Sequence, residues 1–538
     1  MQVDYVIVGA GSAGCVLANR LSADGKSEVA VIEAGGSDLN LWVRMPIGYG
    51  GAFHDPHINW RYFTEPDPGT GNRVSYWPRG RVLGGSSAIN AMVYIRGQAA
   101  DYDGWAALGN PGWSHADVLP LFRRMENNLA GGDDWRGTGG PMTVTATDLG
   151  VHTLSHDWID AAEATGLPRN ADFNGADQEG VGLYQITTRN GFRCSAATGY
   201  LNPAKRRANL RVITRAHATR ILFDGRRATG IEYRRGNKTL RIHARREVIL
   251  SAGAVNSPQL LELSGIGGAD RLKNLGLDIT QDLPGVGTNL QDHIGYDFIY
   301  EANCPTLNNL LRPWSGRIAM GLLYLLTRGG PLSLSVNQAG GFFRSSPDRP
   351  RPNLQLYFAP VSYTHKTPGK RRLLAPDAFP GMQLSISNCH PLSRGHLHIR
   401  SADPMAPPEI HPRYLSVPED LDELCEGVDI LRRIAAAPPL ANSILREVIP
   451  GPDVTDPDAL RANIVGQVGT VFHPCGTCAM GPDPNAGAVV DARLKVHGLD
   501  GLRVADASIF PRITAGNINA PSMMVGEKAS DLILADRG

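Results

Sequence analysis

The segment VDYVIVGAGSAGCVLANRLSADGKSEVAVIEAGG, residues 3–36, changes periodicity twice. Tyr5 to Val8 form an apolar, β-type run, and Gly9, Gly11 and Gly14 follow it. In CVLANRLSADG, Val16, Leu17 and Leu21 then have helical spacing. A second apolar run, EVAVIEAGG, ends in Glu33, 19 residues after Gly14. Strand, glycine turn and helix place backbone N–H groups against a pyrophosphate, while a carboxylate at this distance accepts hydrogen bonds from a ribose diol. Glycines also gather in ordinary strand-to-helix turns. Here a preceding strand, a following helix, a position at the head of the chain and an acid at the right spacing coincide, so the segment is read as a dinucleotide-binding loop. It does not separate NAD from FAD.

At 538 residues the chain exceeds the size at which one core keeps growing, which predicts two domains built from interleaved segments. Lys and Arg total 53 against 52 Asp and Glu, so no surplus field draws nucleic acid, and none is expected as a partner. Seven scattered cysteines fit reduced thiols and a cytoplasmic setting better than a disulfide scaffold. No signal-peptide pattern precedes the first strand. No run reaches the roughly 18 apolar residues of a membrane span, the nearest being IAMGLLYLL, Ile318 to Leu326. For the surrounding helical stretch 309–327, core packing is the favoured reading, with a pocket entrance or a peripheral lipid contact as the alternatives. The 62 Gly and 38 Pro predict long irregular connections.

Three further segments carry chemistry. GRVLGGSSAINAMVYIRGQAADYD, residues 80–103, holds the Gly84–Gly85 pair, whose missing Cβ atoms let backbone approach a flat ligand. GAVNSPQLLELSGIG, residues 253–267, follows a strand-like run and opens a helix. GLRVADASIFPRITAGNINAPSMMVGEKASDLI, residues 501–533, sets Asp506 after a short strand, Asn517 and Asn519 in a loop, and then an apolar helix. A helix N-terminus there stabilises negative charge developing on a ligand.

Together these segments resemble the glucose-methanol-choline oxidoreductase family from Val3 to Ile533, and within it bacterial primary-alcohol dehydrogenases and choline dehydrogenase-like proteins, through WPRGRVLGGSSAINAMVYIRG, PGVGTNLQDH and AGNINAPSMM. The resemblance implies an α/β fold: a Rossmann-like FAD-binding domain (1–154, 201–299 and 466–538) with an inserted antiparallel-sheet substrate domain (155–200 and 300–465). NLQLYFAPVSYTHK (353–366), MQLSISNCHP (382–391) and HLHIRSA (396–402) alternate as half-buried antiparallel strands do, and this sheet is expected to roof the pocket.

The resemblance further implies that FAD is held by Gly9, Gly11, Ser12, Ala13, Gly14, Glu33 and Ala34, by Arg81, Gly85, Ser86, Asn90, Ala91, Met92 and Val93, and by Ala218, Ala252, Asp506, Ala507 and Asn519. Some relatives tether FAD through a histidine just before the position of Asn90; this chain has Ile89, so the FAD is expected to be non-covalent.

VFHPCGTCAMG, residues 471–481, puts one histidine beside a C-x-x-C pair. A lone loop histidine is ordinarily a satisfied imidazole. The resemblance implies instead that His473 is the catalytic base and Asn517 its partner. An imidazole of ordinary pKa ~6.5 takes an alcohol proton at neutral pH, a donated hydrogen bond steadies the alkoxide, and hydride passes to flavin N5. Cys475 and Cys478 lack the setting of a redox dithiol or a zinc site and are assigned to packing; no metal is expected. His390 is read as structural.

The expected activity is oxidation of a primary alcohol to an aldehyde, with oxygen or a quinone as electron acceptor. No carboxylate-and-aromatic cluster stands out in the pocket segments, so uncharged aliphatic or benzylic alcohols are preferred over a quaternary ammonium substrate. A non-redox cyanohydrin lyase and a fatty-acid photoenzyme are the competing readings on the same scaffold.

Overall fold

The computed structural model describes residues 1–146, 150–364 and 376–537. The strand Gln2–Val8 lies between Val29–Glu33 and Lys238–Leu250, parallel to both. Leu210–Thr214 extends this parallel set beyond Val29–Glu33, and Leu502–Val504 pairs with the end of Lys238–Leu250. The first half of that long strand instead meets Arg227–Arg235 and, beyond it, His217–Asp224 in antiparallel ladders. The run Tyr5 to Val8 is buried throughout, as a parallel strand covered on both faces must be. The crossover from Gln2–Val8 to Val29–Glu33 is the helix Ser12–Leu21. Gly14 permits its close approach: a Cβ there would overlap the Gly9 carbonyl oxygen. The fold is α/β.

A second sheet is antiparallel. Its order is Ile444–Ile449, Ile294–Ala302, Gly381–Asn388, Leu354–Ala359, Ala339–Phe343 and Gly180–Leu183, with Gly469–Thr470 alongside Ile294–Ala302. The helices Thr153–Ala164 and Pro418–Ala436 contribute buried apolar residues such as Trp158 and Leu431 to its core. Residues 365–366, included above in a strand-like stretch, lie outside the described residues. HLHIRSA does not join this sheet; His396–His398 forms a separate hairpin with Glu409–His411. Strand Ile294–Ala302 spans the expected 299/300 boundary and belongs wholly to the second sheet.

The stretch 309–327 departs from its reading as core. It forms two helices, Leu307–Leu311 and Trp314–Thr327, separated at Pro313, and only Met320 and Tyr324 of the longer one are buried. Among the described residues no helix is long and apolar enough to cross a membrane.

The carboxy-terminal helix Asn519–Ala535 packs against Ser12–Leu21 through a carboxylate that no water reaches. Glu527 has a fully buried side chain and accepts from Arg20 Nη2 at 2.8 Å, Arg124 Nη2 at 2.7 Å and Tyr200 Oη at 2.7 Å. Removing Glu527 leaves the buried Tyr200 hydroxyl without its acceptor, whereas Arg20 and Arg124, 28% and 39% exposed, can turn to water. The Glu527→Ala variant is expected to lose about 1–3 kcal/mol of unfolding free energy, measured by denaturant titration, whereas Asp531→Ala on the exposed side of the same helix should change it little.

Candidate active site

The parallel strands all deliver their carboxyl ends to one place. Gly9 follows Val8, Ala34 follows Glu33, Ala216 and Ala218 follow Thr214, Ala252 follows Leu250, and Asp506 follows Val504. In open α/β sheets ligands bind outside these ends. Here they border a cavity of about 720 Å³, roofed by Tyr357, Gln383 and Ser385 of the antiparallel sheet. All the residues expected from the sequence line it except Gly14, which packs helix on strand, and Arg81. The Arg81 guanidinium lies 4.9 Å from the Trp60 ring centre, behind the wall.

Several of these residues have structural duties that set their geometry. Glu33 accepts from Ala10 N at 2.9 Å and Gly35 N at 2.7 Å, which leaves carboxylate lone pairs for a diol. Burial pushes its pKa up to about 7, against the pull of those backbone bonds and of Arg81. Asp506 accepts from Gly253 N at 2.9 Å and Ser257 Oγ at 2.6 Å, so it caps the helix Gly253–Leu263. Asn90 Oδ1 accepts from Met92 N and from the buried Arg193 Nη1 at 2.8 Å, which fixes the 90–93 loop.

Two helix N-termini converge on the cavity without side-chain caps or acids in their first turns, those of Ser12–Leu21 and Asn519–Ala535. Ser12 Oγ donates to Asn519 Oδ1 at 2.8 Å and ties them together. Gly85 lies against Gly11 so closely that a Cβ would overlap it. Free N–H groups, two positive dipole ends and a side-chain-free cleft fit a pyrophosphate.

At the other end of the cavity stands His473. The backbone ladder between Gln291 and Cys475 brings its loop beside residues 291–293, and His473 N donates to Asp292 Oδ1 at 2.7 Å. Asp292 also accepts from Tyr414 Oη and Thr470 Oγ1, each at 2.6 Å, while burial raises its pKa to about 6. Arg79 Nη2 donates to the Phe472 carbonyl at 2.6 Å.

The ring's proton position follows from its neighbours. His293 Nε2 lies 2.9 Å from the Cys389 carbonyl oxygen, which can only accept, so His293 Nε2 carries its proton. A neutral His293 then accepts at Nδ1, 3.0 Å from His473 Nδ1, which must donate. His473 Nε2 is left with its lone pair, 3.1 Å from Asn517 Nδ2. Gln355 Nε2 donates to Asn517 Oδ1 at 3.3 Å and holds that amide with its NH₂ toward the imidazole. Burial, reinforced by His293 and the Arg79 guanidinium, holds the His473 pKa well below the ordinary imidazole value; burial likewise holds His293 down to about 4. Both rings are therefore neutral at physiological pH.

His293, Asp292, Arg79 and Gln355 were not singled out from the sequence. The Asp-His pair within NLQDH, residues 289–293, was the available signal for the first two. Cys475 and Cys478 are free and buried, and burial raises both thiols well above their usual pKa, so neither is a thiolate. Among the described residues no group of His, Cys, Asp and Glu is arranged to hold a metal. His390 Nε2 bonds Asp101 Oδ1 at 2.7 Å. A carboxylate absent from the sequence reading of the pocket, Asp297, lines the cavity, as do Tyr49, Phe53, Tyr363 and Phe472.

On this α/β fold an oriented neutral imidazole stands at one end of the cavity, and a cleft that fits a pyrophosphate lies at the other. Models of the GMC oxidoreductase family match residues 3–295 and 391–526. An alcohol dehydrogenase (acceptor) of Pseudomonas putida is 44% identical over 99% of this chain and 95% of its own length. An oxygen-dependent choline dehydrogenase of Rhizobium etli is 42% identical over 99% and 96%. The crystal structure of pyridoxine 4-oxidase from Mesorbium loti superposes with a TM-score of 0.88 at 32% identity, covering 98% of both chains. The chain belongs to the GMC oxidoreductase family and is an enzyme acting on CH–OH donors.

A depressed His473 pKa keeps the base form populated below the ordinary imidazole range, so the acid limb of kcat/KM is expected below pH ~6.5. His293→Phe removes both the Nδ1 acceptor and one cause of the depression. In that variant the limb should move to higher pH and kcat/KM should fall about 10- to 100-fold, with cofactor content unchanged.

Proposed function

We propose that the protein oxidises a primary alcohol to an aldehyde with non-covalently bound FAD. Glu33 and Ala218 would hold the adenosine half, Gly11 to Ala13 with Gly85 and Ser86 the pyrophosphate, and Asn90 to Val93 with Ala507 and Asn519 the ring system. Ile89 offers only a buried aliphatic side chain beside Asn90, which supports attachment without a covalent bond. On this reading the parallel sheet centres an FAD-binding domain (1–154, 201–299 and 466–538), and the antiparallel sheet centres a substrate domain (155–200 and 300–465) whose strand Ile294–Ala302 overlaps the junction.

The flavin supplies the acceptor for the hydride that leaves the alcohol carbon. His473 Nε2 takes the hydroxyl proton, and Asn517 Nδ2 donates to the same oxygen as charge develops on it. The observation that carries this reading is the 3.1 Å pairing of an unprotonated Nε2 with an amide donor. One substrate oxygen placed beside both, within hydrogen-bond reach of each, would lose its proton to the first and be steadied by the second. The photoenzyme reading makes no use of a base and donor on an alcohol oxygen; a cyanohydrin lyase would use the same base on its substrate hydroxyl but would leave the flavin oxidised.

An anaerobic panel of aliphatic and benzylic alcohols, with choline included, tests the proposal. An uncharged primary alcohol should bleach the flavin absorption in the dark, and air or a quinone should restore it. His473→Ala should keep its yellow cofactor and lose about 10³-fold or more in reduction rate; Asn517→Ala should lose about 10²-fold. A flavin that stays oxidised with every alcohol, or reacts only under illumination, contradicts the proposal.

A further inference from the structure

The Trp314–Thr327 helix reverses the usual amphipathic arrangement. Trp314, Ile318, Leu322, Leu325 and Leu326 recur at intervals of three or four and make one stripe. That stripe faces outward: Trp314 is 74% and Leu326 84% exposed, and Ile318, Leu322 and Leu325 are each exposed. None of the exposed residues of this helix is charged. A contiguous apolar surface of this kind marks a contact site.

Charge selects the partner. Between Glu301 and Asp348 the chain carries Arg312, Arg317, Arg328 and Arg344 and no acid, and of these four Arg344 is paired with Glu179. Arg312 is exposed just before the helix, and Arg328 closes it with its guanidinium 4.8 Å from the Phe192 ring centre. A Trp at one end, an apolar stripe along the length and cations at both ends suit a helix lying in the headgroup region of a bilayer. At 14 residues it is about 21 Å long, short of the roughly 30 Å hydrocarbon core. A second copy packed stripe to stripe would bring arginines together at both ends in either orientation.

We propose that the Trp314–Thr327 helix docks the protein on the surface of an anionic lipid bilayer. The stripe enters the boundary between headgroups and acyl chains, and Arg312 and Arg328 at its two ends meet lipid phosphates. Beneath the helix, Met320 and Tyr324 share a cluster with Leu332 and Ala359, against which Val336 and Tyr363 of the cavity wall pack. Docking thus brings the lipid surface within a few side chains of the cavity. The inference stands independently of the reaction at His473.

Flotation of the holoenzyme with phosphatidylglycerol–phosphatidylcholine vesicles tests it against phosphatidylcholine alone. The protein should float with the anionic vesicles, about ten-fold less with the neutral ones, and be released as salt is raised. The triple variant Trp314→Ser, Leu322→Ser, Leu326→Ser should bind about ten-fold more weakly or worse, while keeping wild-type turnover of a water-soluble alcohol. Three results overturn the proposal: no flotation of the wild type, equal flotation with neutral vesicles, or flotation unchanged in the triple variant. A wild-type dimer that the triple variant converts to a monomer, without any vesicle binding, assigns the stripe to a second copy and overturns it as well.

Discussion

One backbone carbonyl sets the chemistry of the cavity. The Cys389 oxygen can only accept, and that constraint runs through His293 to His473 and fixes which ring nitrogen keeps its lone pair. Four separate parts of the chain must meet for this: the residue after the strand Gly381–Asn388, the lead into Ile294–Ala302, the 473 loop, and the 517 loop. The antiparallel sheet therefore does more than roof the pocket. It supplies the carbonyl to which His293 donates, and through Gln355 it orients the Asn517 amide. A buried polar chain of this kind is stabilising only when every member is satisfied, which makes its geometry rigid.

The parallel half solves a different problem with the same economy of parts. Its strands end together, so short turns rather than long loops border this end of the cavity, where the proposed cofactor would lie. Two helices reach it with bare N-termini, and Ser12 bonded to Asn519 keeps those termini together. Farther along, the buried Glu527 between Arg20, Arg124 and Tyr200 locks the same two helices side by side. The parallel and antiparallel sheets have separate hydrophobic cores, and residues of both sheets line the cavity.

Much of this was legible in the sequence, for reasons that differ by residue. The strand, glycine turn and helix at residues 2–21, and Glu33 beyond them, depend on local periodicity and spacing, which survive without tertiary information. His473 and Asn517 were singled out only through family resemblance, because a loop histidine carries no local mark of the buried, hydrogen-bonded setting the structure gives it. His293 lies 180 residues from His473, and Gln355 lies 162 from Asn517, so no spacing rule joins them. Asp297 escaped notice because a single acid in an alternating strand reads as an outward-facing polar residue. The stretch 309–327 failed in another way. Helical periodicity shows that Trp314, Ile318 and Leu322 share a face, but which face meets the protein depends on Met320 and Tyr324 finding Leu332 and Ala359.

The resting proton arrangement of the two imidazoles is the claim on which the mechanism depends. The ¹⁵N chemical shifts of the His473 ring in histidine-labelled protein, assigned by comparison with His473→Ala, read it directly. The account predicts a neutral ring with a protonated Nδ1 and an unprotonated Nε2 at neutral pH. A proton on Nε2, or a doubly protonated ring, would contradict it.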